Sequence, residues 1–434
     1  MTRSVPKAER GPLVVIGTGG RAYREYALAG VARAADQRGR PIVALVPEPA
    51  TWQRERVSEC RLVDVGDPDA VLAQLRTLPT APAGVLTWDE TALESTAAVA
   101  DELGLPHMSR DAVSACRDKL LTRRALAAAR VPVPRFHHVL QPGDAPAAAA
   151  HLAQAVGWPI VVKPRALAGS VGVTLVRDAA ELPEACGLAA RATVPKLSAR
   201  DGLLIEEFVD GPELSIDSVI FNGTVTLAVV ARKVLGFAPY FEEIGHRVLP
   251  WRHESWAAAV TDVVVAAHRA LAIRTGITHT EVRLTRSGPK IIEVNGRLGG
   301  DLIPYLGQLA TGIDLPAAAV AIALGEAPHL QSTGSRCAAV SFRYPPTDVR
   351  VKSVEVASAG DRPPWLDRMA VLAEPGDTLF LPPRGMIPRY AAVIVTGGSE
   401  RECDERLYQA GRQLCLSYDP LDAAVPAPSP PASR

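Results

Sequence analysis

Thr280–Arg297 reads TEVRLTRSGPKIIEVNGR. Two short alternating runs flank Ser287-Gly288, with Pro289 following, so the stretch predicts a β-hairpin. Alternation puts Val282 and Leu284 of the first strand, and Ile292 and Val294 of the second, on one apolar face. The other face carries Glu281, Arg283, Glu293, Asn295 and Arg297. With the turn centred on Ser287, Glu281 lies almost directly across from Glu293, within cross-strand reach. Two facing carboxylates repel unless a cation sits between them. Oxygen ligation with an adjacent amide suits Mg²⁺ holding substrate phosphates. The same residues would also serve as a solvated polar face, with Glu281 and Glu293 paired to Arg283 and Arg297.

Working outward, a chain of 434 residues predicts roughly two to four structural units. Its 47% apolar content supports substantial cores and argues against global disorder. Basic and acidic residues both number 47, so no net field draws nucleic acid or anionic lipid, and neither is expected as a partner. Six cysteines (Cys60, Cys116, Cys186, Cys337, Cys403 and Cys415) lack any CxxC pair and read as small core residues in a reducing cytosol. The residues through Arg10 hold no signal-peptide core, and no apolar run approaches the ~20 residues of a membrane span, so a cytoplasmic location is expected. The Pro/Ala/Ser-rich tail, residues 423–434, reads as disordered.

Residues 12–110 alternate strands (PLVVIG, PIVALVP, GVLTW) with helices (Tyr23–Arg38, Ala70–Thr77, Thr91–Leu103), which predicts a doubly wound parallel sheet. The first turn, Gly17-Thr18-Gly19-Gly20-Arg21-Ala22, fits a loose dinucleotide fingerprint, with Glu48 after the second strand. It equally fits a tight strand-to-helix turn, or a cradle for another anionic group. A long helix is expected over Arg110–Arg130, ending at VPVPR. Residues 150–210 predict a compact α+β unit, followed by strands Leu214–Phe221 and Val225–Arg232 around Asn222-Gly223. Trp256–Ile273 predicts a buried helix. Beyond Gly325 the expectation is strands at Ala338–Tyr344 and Ala391–Thr396, and a helix from Glu400 to Cys415.

Several polar residues could carry chemistry. Lys163 ends the strand PIVVKP ahead of Ala168-Gly169-Ser170-Val171-Gly172-Val173, where a lysine and a flexible loop can neutralise and cover a polyphosphate. No GK(S/T) follows, so this is not a Walker loop; an ordinary glycine-rich hairpin is the alternative. Glu206 and Glu207 end a strand beside Phe208 and Val209, with Glu213 just beyond. That edge can receive a purine and a ribose, or form a solvated acidic turn. Lys119 sits in the connecting helix, where an exposed lysine usually only solubilises. Glu243 and His246, three apart, suit a substrate ammonium, proton transfer, or a structural hydrogen bond. Strand alternation sends Arg232 and Lys233 opposite ways and does not say which faces phosphate.

Taken in order, strand–Lys–glycine loop, Glu-Glu-Phe-Val, Gly-x-Glu and Glu…Glu-x-Asn-x-Arg resemble the ATP-grasp superfamily of carboxylate–amine (or thiol) ligases. The resemblance covers roughly residues 110–330, and EVNGRLGGDLIPYLGQLATGIDL is its most specific stretch. Within the superfamily the chain looks most like L-amino acid ligases of the bacilysin-synthetase type, which make dipeptides in antibiotic pathways. The resemblance implies an α/β and α+β ATP-grasp fold: an N-terminal doubly wound parallel-sheet domain over 1–112, an ATP-grasp domain over 113–330 with its lid at about 135–208, and a C-terminal antiparallel-sheet subdomain over 331–422. It implies ATP and two Mg²⁺ ions as cofactors, with Mn²⁺ able to substitute. Lys119 and Lys163 would contact ATP phosphates beneath the loop that includes Gly169, Ser170 and Gly172. Glu206, with the backbone of Glu207, Phe208 and Val209, would receive adenine, and Glu213 the ribose. Glu281, Glu293 and Asn295 would hold the metal, and Arg297 would stabilise the acyl phosphate and tetrahedral intermediate. Glu243 and His246 match the amino-acid contact. Where such ligases can carry a bulky aromatic, this chain has Asp301, an acid that could favour a polar or cationic side chain. The implied partners are a small carboxylate and an amine, with relatives commonly homodimeric. Delivery of the acyl group to a carrier-protein thiol, an NAD-dependent oxidoreductase and a nucleotide sensor are the competing readings.

Overall fold

The structure, a computed structural model, describes residues 11–197, 200–357 and 362–422. The segment through Arg10 and the tail after residue 422 lie outside them.

Four parallel strands form the first sheet: Leu13–Ile16, Ile42–Val46, Glu59–Leu62 and Gly84–Leu86, in spatial order third, second, first, fourth. Helices Arg21–Gln37, Thr51–Arg54 and Pro68–Arg76 connect them in turn and Leu93–Leu103 follows the last; the alternating pattern predicts all but the short Thr51–Arg54. The central strands are buried throughout, which is why LVVI and IVALV read as unbroken apolar runs. Sequence reading passes over Glu59–Leu62 because ECRL is a half-exposed edge strand carrying charge.

The single helix expected over Arg110–Arg130 is two helices, Arg110–Arg117 and Lys119–Ala128. Asp118 breaks them: its backbone is extended and its carboxylate accepts the N–H groups of Leu120 and Leu121. Arg165 also chelates this carboxylate. The break puts Lys119 at the start of the second helix.

Strands Phe136–Val139, Leu203–Glu207, Ile160–Pro164 and Thr174–Val176 form an antiparallel four-stranded sheet in that order. Helices Ala145–Val156 and Leu182–Arg191 close a small separate core over it.

The largest sheet has eight antiparallel strands, running Gly288–Asn295, Gly276–Thr285, Glu213–Phe221, Thr224–Gly236, Glu242–Val248, Cys337–Arg343, Ala391–Gly397 and Leu366–Val371. Helix Ala257–Ala270 covers one face and helices Ile303–Thr311 and Leu315–Ala323 the other. The expected boundary at residue 330 falls inside this sheet, whose last three strands lie beyond it. Leu366–Val371 and Glu242–Val248 are strands the sequence reading does not supply. Helix Glu400–Gly411 stops short of Cys415, which lies in a final strand, Leu414–Pro420.

The hairpin of Gly276–Thr285 and Gly288–Asn295 forms as expected, with one correction. Val282 faces Ile291 while Glu281 faces Glu293, so Ile292 is an extra residue in the second strand. This β-bulge buries Ile291, not Ile292, beneath Val282. Ile292 turns to the polar side, and Glu293 is brought opposite Glu281.

Cys116, Cys186, Cys337 and Cys403 are buried and free, whereas Cys60 is half-buried and Cys415 exposed, so two of the six are not core residues. Among the described residues no single helix is long and apolar enough to cross a membrane.

Candidate active site

One cleft between the four-stranded sheet and the large sheet gathers most of the candidate residues. Lys119, Lys163, Gly169, Ser170, Glu206, Glu207, Phe208, Val209, Glu213, Glu243, Glu281, Glu293, Asn295, Arg297 and Asp301 all line it. Gly172 and His246 do not. A Cβ at Gly172 would sit 2.7 Å from Ala192 and 2.9 Å from Pro164, so this glycine, with φ at +76°, serves close packing of the loop against helix Leu182–Arg191. His246 is fully buried behind Glu243 and Asp301, with Nε2 at 3.3 and 3.4 Å from their carboxylates.

Lys163 rises from the strand Ile160–Pro164 and donates to Glu206 at 2.6 Å. Arg123 holds the same carboxylate at 2.9 Å. Burial lowers the Lys163 ammonium to about 8, partly opposed by Glu206. The Glu206 carboxyl is lowered despite burial, because Arg123 and Lys163 outweigh the desolvation. The Glu206 carboxylate is engaged by these two cations and holds Lys163 at the wall of the cleft. Glu207 likewise pairs with Lys290 at 2.6 Å and accepts the Arg135 N–H. Lys119 donates to the Leu167 carbonyl at 2.6 Å and pairs with Glu293 at 3.1 Å, linking the glycine loop to the hairpin.

Strand alternation resolves inward in favour of Lys233, while Arg232 turns out to Glu400. Lys233 meets Glu213, Glu243 and Glu281 at 3.0, 2.9 and 2.6 Å. Arg283 takes the other oxygen of Glu213 at 2.8 Å, so ribose contact by Glu213 would compete with two cations. Glu281 is raised by burial, opposed by Lys233 and reinforced by facing Glu293. Glu293 is lowered despite burial, through Lys119 and Lys163. Two facing carboxylates and the nearly buried Asn295 amide make an oxygen donor set on one strand pair, which fits a hard divalent cation.

Several neighbours of the candidate residues carry no signal in the sequence. Asp217, fully buried, accepts from His279 Nδ1 at 2.8 Å and from the Gly299 N–H at 3.1 Å. Gly299 must be glycine-sized, because a Cβ there would sit 2.8 Å from both. Arg24 donates to the Gly299 carbonyl at 2.8 Å. In the N-terminal glycine turn, Gly17 and Gly19 hold φ at +70° and +66°, where an added Cβ would crowd Asp89 and Arg24. Glu90 pairs with Arg297 and Arg117, and Arg389 with Asp301.

Comparison with known proteins agrees with this geometry. The profile of the ATP-grasp domain matches residues 156–305. An uncharacterised protein of Sinorhizobium fredii is 29% identical over 394 residues, 88% of this chain and 78% of that protein. Human carnosine synthase 1 is 31% identical over 254 residues, 56% of this chain; the chain spans only 31% of that protein's length. The D-alanine–D-alanine ligase of Gloeobacter violaceus is 29% identical over 268 residues, 59% of this chain and 84% of that enzyme. In fold, the L-amino acid ligase of Bacillus licheniformis superposes with a TM-score of 0.77 at 23% identity, covering 95% of this chain and all of that one. The chain carries an ATP-grasp domain over residues 156–305 and is similar to the ADP-forming carboxylate–amine ligases of that superfamily.

Proposed function

We propose that the chain activates the carboxyl group of an amino acid with ATP and joins it to the amine of a second small molecule, giving a dipeptide-like natural product. The observation that carries this reading is the Glu281–Glu293 pair facing the same cleft as Lys119, Lys163 and Arg297. A carboxylate is a poor electrophile. Its oxygen attacks the γ-phosphorus, the bond to the β-phosphate oxygen breaks and ADP leaves. Lys163 and Lys119 place positive charge beside the transferring group, and the loop from Ala168 to Val173 excludes water from the acyl phosphate. Glu281, Glu293 and Asn295 would hold Mg²⁺, as one or two ions, which when bound supplies charge to the phosphates. The amine nitrogen then attacks the acyl carbon, Arg297 stabilises the oxyanion, phosphate departs, and the amine gives up its proton. Glu243, on whose carboxylate His246 is fixed, suits the α-ammonium of the activated amino acid.

Incubation of paired amino acids and amines with ATP and Mg²⁺ tests the reading, with phosphate release and product masses as readouts. The expected product weighs the sum of the two substrates less one water. Absence of both phosphate and amide across the whole panel would refute it.

A further inference from the structure

Asp301 lies four residues after Arg297, in a loop where Asp301 and Leu302 hold left-handed backbone at φ 50° and 66°. Two adjacent non-glycine residues in that region need anchoring. Arg389 supplies it. Its Nη1 donates to Asp301 Oδ1 at 2.8 Å and its Nη2 to Oδ2 at 2.7 Å, a bidentate fork. Nη2 also donates to the Glu243 carbonyl at 2.7 Å, and Nε to the Tyr344 hydroxyl at 2.9 Å. The guanidinium lies 3.7 Å over the Phe342 ring, and Arg389 is 4% exposed. Glu242, 3.9 Å from Arg389, accepts from Tyr344 instead. The guanidinium is thus committed to protein groups, and Asp301 carries a built-in counter-ion.

We propose that Arg389 cancels the charge of Asp301 on the substrate-facing wall, so that the activated amino acid presents an uncharged side chain there. This rests on the ligase reading above. A side-chain ammonium at this wall would find Asp301 paired with Arg389, Glu242 accepting from Tyr344, and Glu243 taken up by Lys233 and the α-ammonium. A carboxylate would meet Glu242, Glu243 and Asp301. Either charge would lose water without gaining a free partner, which is costly in a buried site. Ile303 and Ile387 line the cleft near this pair and favour an apolar group. Arg389 acts here as a positioning and specificity residue; it does not touch reacting atoms.

The experiment compares kcat/KM for neutral, cationic (lysine, ornithine) and acidic (glutamate) amino acids as acyl donors. The readout is phosphate release coupled to product mass, in wild type and three variants. Wild type is expected to favour neutral donors by about a hundredfold, the discrimination available when a buried charge lacks a partner. Arg389→Gln frees the Asp301 charge and should raise the cationic-to-neutral ratio at least about tenfold. Asp301→Asn frees Arg389 and should raise the acidic-to-neutral ratio similarly, which keeps the test intact if Arg389→Gln does not fold. The double variant should return to neutral preference. Equal wild-type use of charged and neutral donors, or single variants that lose all donors in parallel with unchanged ratios, would overturn the inference. No wild-type turnover with any donor would instead sink the ligase reading beneath it.

Discussion

Glu90 and Arg297 form an ion pair that ties the end of the parallel-sheet unit to the arginine closing the site hairpin. Arg117 holds the other oxygen of the same carboxylate. Although burial alone would raise it, the two guanidinium groups hold Glu90 down at about 2.

Replacing Glu90 with glutamine removes the counter-ion and leaves Arg297 free to swing. The expected outcome is a loss in kcat of roughly tenfold or more, with a much smaller change in KM for ATP. A stability signature should accompany it. A carboxyl lowered from 4.5 to about 2 contributes stability above the ordinary value and loses it as pH falls from there through about 2. Urea midpoints should therefore fall less steeply with acid in Glu90→Gln than in wild type.

Loss of either hairpin carboxylate should separate folding from chemistry. Glu293→Ala is expected to keep its circular dichroism spectrum while ADP formation falls by about a hundredfold or more. A chelator should do the same to wild type, reversibly on adding Mg²⁺. A thermal shift caused by ATP should depend on Mg²⁺ in wild type and lose that dependence in the variant.

Lys163 titrates at about 8 because burial disfavours its charge. Phosphate binding needs the ammonium, so kcat/KM for ATP, which reports the free enzyme, should decline as pH rises through about 8. Lys163→Arg should remove that limb, since a guanidinium stays charged. A profile flat through this range in wild type would contradict the assignment.

Gly172→Ala meets Ala192 and Pro164 at a left-handed position, and should destabilise the loop by about 1–3 kcal/mol. Gly169, whose added Cβ would only touch the Ile387 side chain at 3.4 Å, has more room, although its φ of +65° still resists alanine. The expected ranking by kcat is wild type, then Gly169→Ala, then Gly172→Ala, measured at saturating ATP.

Much of this fold is written in local pattern. Unbroken apolar runs mark the parallel strands, and Asn222-Gly223, at φ 50° and 80°, marks its hairpin. The Glu281–Glu293 pairing was legible because period-two alternation and turn position constrain each other. The bulge at Ile292 was not, since two consecutive isoleucines look alike until packing chooses one. The Asp118 break was hidden because an aspartate inside a helical run is read as exposed until its own backbone bonds are seen. Glu90 and Arg389 were invisible for another reason. Their partners lie 207 and 88 residues away, and no local spacing signals such pairs.

The continuity of the large sheet bears on how the chain could be shortened. A version ending at residue 330 would keep every phosphate- and metal-facing candidate named above. It would also strip Cys337–Arg343 from Glu242–Val248, laying bare a row of unsatisfied main-chain donors and acceptors. Such a fragment should seek another strand to complete itself, and self-association would follow before catalysis could be judged.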